Sequence, residues 1–139
     1  MAACVCCDFL GTVIHTETKK LATVDPLVGE AEAMLSGVQV ACLAVWSDVL
    51  FEGDSSVVVD AVGRDLADCP WVIETIISKI KDLFVESPRF RCSFSPRSAN
   101  VAAHSLAQWA ASSGREGCFP EFCGLFQRLP WVFEGSAPP

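Results

Sequence analysis

Apolar and polar positions along the chain change period several times, and each change marks an element. Residues 2–9 (AACVCCDF) are apolar and thiol-rich and read as a strand. Leu10-Gly11 supplies a turn signal, and TVIHTET (12–18) reads as a second strand, closing a hairpin. Lys19 and Lys20 lead into a loop ending at Asp25-Pro26, a helix-start signal. With Leu27 at zero and 100° per residue, Ala31, Met34, Leu35, Val38, Cys42 and Val45 fall between about −20° and +80°, one apolar stripe.

VLFE (49–52) follows as a short buried strand, then Gly53-Asp54-Ser55-Ser56 and the helical run VVVDAVGRDL. Residues 63–70 read as a loop. WVIETIISKIKDLF (71–84) carries Val72, Ile73, Ile76, Ile77, Ile80, Leu83 and Phe84 at helical spacing. FRCSF (90–94) reads as a strand closed by Pro96. Residues 98–114 form an Ala-rich helix, with Ser98 expected to cap it and Gly114 to end it. The order β-β-α-β-α-α-β-α predicts an α/β domain with a mixed sheet over residues 1–114. Residues 115–139 read as a C-terminal extension with room for one short helix and a disordered end, GSAPP.

Composition narrows the class. At 139 residues and 51% hydrophobic, the chain can bury a real core. No apolar run reaches the roughly 18 residues of a membrane span. The N-terminus has no basic region ahead of its apolar stretch and meets Asp8 too early for a secretory signal, so an intracellular protein is expected, cytoplasmic or nuclear. The eight cysteines cluster only as C-x-C-C at 4–7 and as C-x4-C at 118–123. The expected state is buried, reduced thiols acting as small hydrophobes, with a zinc site as the lesser alternative.

Charge is uneven. Residues 1–78 carry three basic and twelve acidic side chains, within a net charge of −7. Residues 79–97 carry Lys79, Lys81, Arg89, Arg91 and Arg97 against Asp82 and Glu86. An acidic half beside a basic patch suits a divalent-cation site next to a phosphate-contacting surface.

Two carboxylates stand out within that frame. Glu30 falls near −60°, at the border of the apolar stripe, whereas Glu32 near 140° is expected to be solvated. Asp54 stands at the end of a strand and ahead of a helix. It is either an N-cap or one of the carboxylates that collect at the C-terminal ends of strands in α/β sheets.

Three ordered motifs carry a resemblance: Glu30-Ala31 on the first long helix, E-G-D-S at 52–55, and N-V-A-A-H-S-L-A at 100–107. Together they resemble ribonuclease H type 1, and more narrowly the plant reverse-transcriptase-derived ribonuclease H-like domains, over about residues 3 to 112. The resemblance implies carboxylates clustered around magnesium, with an RNA–DNA hybrid as substrate and phosphodiester hydrolysis as reaction. Glu30 matches the helix glutamate and Asp54 the aspartate after the central strand, as metal ligands. His104 occupies the place of the last aspartate, and the basic residues 79, 81, 89, 91 and 97 are expected to contact nucleic acid. The family's first aspartate lies in an N-x-D-G strand with no counterpart here, which reads as a missing N-terminal strand. Two carboxylates and an imidazole supply less negative charge than the family set, so the expected activity is weak or absent. The alternative is a non-catalytic nucleic-acid- or protein-binding module on the same fold.

Overall fold

A computed structural model describes residues 1–123. Five strands and four helices are arranged in two compact units: Met1–Ala22 with the stretch from Asn100 onward, and Thr23–Ala99 between them. The expected α/β class and element order hold, with one further strand after the last helix.

In the first unit, β1 (Ala2–Cys7) and β2 (Val13–Lys19) pair antiparallel, and β5 (Gly117–Cys118) adds to the other side of β2. Sequence chemistry makes the hairpin turn. Asp8 Oδ1 accepts from the amides of Leu10 and Thr12, both at 2.9 Å, and Gly11 takes a φ of 79° that a side chain would strain. A register shift at Cys6/Cys7 accompanies the exposure of Ile14. One face of this sheet is covered by α4 (Val101–Ser113). Val13, Leu106, Trp109, Ala110, Phe119 and Phe122 form the core there. Trp109 meets Phe119 and Phe122 edge-on at 5.2 and 5.1 Å, a favoured geometry for aromatic pairs. Thr16, buried in the same layer, satisfies its hydroxyl by donating to the carbonyl of Phe119 at 2.8 Å.

In the second unit, β3 (Val49–Gly53) and β4 (Phe90–Phe94) pair in parallel, Phe51 opposite Cys92 and Gly53 opposite Phe94. Between them run α2 (Ser56–Gly63) and α3 (Glu74–Glu86), preceded by α1 (Pro26–Leu43). Asp25 caps α1, accepting from the Leu27 amide at 2.9 Å, with Pro26 at the first helical position. Ile73, Ile77, Ile80, Val38 and Ala31 are fully buried, each isoleucine contributing roughly 1.5–3 kcal/mol of apolar burial. Phe51 packs against Phe84 and Phe90, ring centroids 5.7 and 5.2 Å away.

Several expectations are corrected. Val45 lies beyond α1, 85% exposed and at a φ of 58°, so it does not extend the stripe. Burial on α1 also spreads past one stripe to Ser36, Gly37 and Val40, and Glu32 is therefore half-buried rather than solvated. β3 is not buried throughout: Leu50 and Glu52 are exposed while Phe51 is buried, the alternation of a one-sided strand. α3 begins at Glu74, leaving Trp71 in a turn and 85% exposed. Ser98 does not cap α4; it lies in a short 3₁₀ turn, and Asn100 holds the cap position. Gly114 ends α4 in the left-handed conformation, as expected. After it come β5 and a 3₁₀ turn at Pro120–Phe122; the remainder of the tail lies outside the described residues. Nor are the cysteines buried: none of the eight is in a disulfide, and Cys7 and Cys118 are exposed while the others are half-buried.

Candidate functional site

The parallel pair sets the geometry of the second unit. Both strands end on the same side, and the Ser95 amide donates to the Gly53 carbonyl at 2.9 Å, tying the two ends together. Asp54 follows β3 directly. The cap of α2 is made by Ser55, whose Oγ accepts from the Val58 amide at 3.4 Å. Helix capping therefore does not account for Asp54. Asp54 is half-buried, and its Oδ1 is withdrawn from solvent.

Glu30 is half-buried on α1, one turn before Met34 and on the same side of the helix. Met34 reaches the end of β3: its Cε lies 3.0 Å from where a Cβ on Gly53 would stand. Met34 Sδ also receives the thiol of Cys92 at 4.0 Å, on the strand beside Phe51. The absence of a side chain at Gly53 thus lets the Glu30-bearing face of α1 approach the strand end that carries Asp54. Burial pushes the Cys92 thiol up to about 11, so it is a protonated filler in this layer.

The other predicted residues distribute unevenly. His104 stands half-buried on α4, in the first unit, and Glu30 and Asp54 belong to the second. Lys81 is drawn into structure: its ammonium donates to the carbonyls of Val62 at 2.9 Å and of Arg64, closing the end of α2. Arg91 pairs with Asp48 at 3.5 Å, both largely exposed. Lys79, Arg89 and Arg97 are exposed. Arg97 follows the C-terminal end of β4, the end shared with Asp54, whereas Arg89 precedes its start, about 13 Å away along the strand. The basic run is continuous in sequence but divided in space.

For magnesium the donor set fits in part. Glu30 and Asp54 offer the hard carboxylate oxygens that suit this ion, which commonly takes one or two carboxylates and completes its shell with water and substrate phosphate. Two carboxylates suit one ion better than two.

A different group was missed from the sequence. His15, Glu17 and Cys118 place one ligand atom each within 4.8 Å of one another. The signal was the alternating H-T-E of β2; the partner Cys118 could not be read because β5, only two residues long, carries no periodicity.

Five strands in two sheets with four helices form an α/β architecture consistent with the ribonuclease H-like type. The chain belongs to the reverse transcriptase-like family, whose model matches residues 1–110. No curated protein and no solved structure matches it. Among the described residues, no helix is long and apolar enough to cross a membrane.

Proposed function

We propose that this protein is a nucleic-acid-binding ribonuclease H-like domain that engages RNA–DNA hybrid and hydrolyses it weakly or not at all. The observation that carries the reading is the approach of the Glu30 face of α1 to the end of β3 through Met34 and Gly53, beside Asp54, inside the stretch that matches the family. Glu30 and Asp54 would hold one magnesium ion together with a substrate phosphate. Bound there, the ion would supply Lewis-acid polarisation of the phosphate and acidify a water. His104, which matches the place of a family aspartate, is an imidazole and brings no negative charge. Arg97, at the Asp54 end of the sheet, and exposed Lys79 would contact the backbone, reading shape and 2′-hydroxyls rather than sequence.

The test is a labelled hybrid followed by anisotropy and by cleavage with magnesium, for the natural chain and for Glu30→Gln/Asp54→Asn. Salt-dependent binding is expected, and Lys79→Ala/Arg97→Ala should reduce the salt slope by about 1 per lost phosphate contact. Any slow cleavage should vanish in the carboxylate variant. Failure to bind hybrid at low salt would overturn the reading. Binding with no trace of cleavage would select the non-catalytic module.

A further inference from the structure

We propose that His15, Glu17 and Cys118 form a binding site for a zinc-type transition-metal ion on the face of the first sheet. The inference is independent of the magnesium reading, because it uses different residues and softer donors.

The topology builds the cluster. His15 and Glu17 are two apart on β2 and so point to the same face. Cys118 on β5 stands opposite Glu17, and residues paired across antiparallel strands share a face. His15 Nε2 lies 3.4 Å from Glu17 Oε2 and 4.0 Å from Cys118 Sγ, and all three ligand atoms lie within 4.8 Å. A tetrahedral ion with bonds of about 2.0–2.1 Å to nitrogen or oxygen and about 2.3 Å to sulfur sets neighbouring ligands about 3.3 Å (N···O) and about 3.6 Å (N···S) apart. The nitrogen–oxygen edge is therefore already present, and the sulfur must close in by about 0.4 Å toward the imidazole and by up to about 1.2 Å toward the carboxylate, within the reach of a side-chain rotation at an exposed residue.

A second, separate observation points the same way. On the opposite flank of β2, Cys4 pairs with Glu17 and Cys6 with His15, so two more thiols join this face. Their sulfurs are 3.5 Å apart, both turned to the same side of β1. Either thiol can be the donor in this contact. One sheet face thus presents three thiols, an imidazole and a carboxylate in two cross-strand rows. That donor set selects zinc or a similar borderline ion over magnesium or calcium. On binding, the Cys118 thiol releases its proton to solvent as the metal–sulfur bond forms, and the neutral imidazole ligates through Nε2.

The experiment uses the full chain, stripped with chelator and titrated with Zn²⁺ against a chromophoric competitor, then with Co²⁺ for the visible bands of tetrahedral, thiolate-bearing coordination. One equivalent should bind. His15→Ala and Cys118→Ser should each weaken it by more than about 100-fold, the upper end of what losing a mere supporting partner costs. Cys69→Ser, in the other unit, should leave it unchanged. Circular dichroism of each variant, with His15→Gln as a milder substitution, separates ligand loss from unfolding. No stoichiometric zinc in the natural chain would overturn the proposal. So would affinity retained in both ligand variants but lost in Cys4→Ser/Cys6→Ser, which would put the ion on β1 alone.

Discussion

Whether Asp54 serves the helix or the site can be settled by stability. Ser55 Oγ accepts from the Val58 amide at 3.4 Å, at the first turn of an eight-residue helix. So short a helix has little stability of its own and depends on the burial of Val58, Ala61 and Val62. Losing an N-cap side chain costs about 0.5–2 kcal/mol, and a bond this long belongs in the lower half, so Ser55→Ala should cost about 0.5–1 kcal/mol. For a chain of this size that is a fall in Tm of roughly 2–5 °C. Asp54→Asn leaves the cap intact and should cost less than Ser55→Ala, while the hybrid-dependent readouts respond to Asp54→Asn and not to Ser55→Ala. Urea unfolding of the three proteins, with unchanged m, gives the comparison. If Asp54→Asn lowers the midpoint as far as Ser55→Ala does, Asp54 is a structural residue and the argument for a site at the end of β3 fails.

Further outcomes follow from the packing. Phe51→Ala removes the ring that meets Phe84 and Phe90 and should cost about 3–5 kcal/mol by urea unfolding. Gly53→Ala should cost only about 1 kcal/mol, because the group in the way is the flexible end of Met34, whereas Gly53→Val should cost clearly more and loosen the Glu30 face. The Cys92 thiol, with an ordinary value of 9.0 raised by burial to about 11, favours the folded state while protonated. Its contribution is complete below about pH 9 and is lost as pH rises toward about 11, so Cys92→Ala should flatten the alkaline fall in stability. In alkylation at pH 8, Cys92 should lag the exposed Cys7, as mass spectrometry of the labelled protein would show.

Local rules read well where local physics decides. The hairpin, α1 with its Asp25-Pro26 start and the Gly114 stop all rest on chemistry within a few residues, and all were visible as sequence. So were Glu30 and Asp54 as candidates, one from helical phase and one from its position after a strand. The misplaced features share a different cause. Val45 fits the helical phase, but phase carries no information about where the helix stops. Ser98 looks like a cap, yet a 3₁₀ turn intervenes before α4 begins.

The sequence alone determined the order of elements, the family motifs and the charge division, because these depend on periods of 2 and 3.6 and on capping residues nearby. Tertiary structure alone decided three things. Ser55 rather than Asp54 caps α2, a matter of which oxygen reaches one amide. The basic run falls at both ends of β4, because a five-residue strand separates its members. And Cys118 comes beside His15 and Glu17 through a pairing that spans about a hundred residues, where no local period could signal it.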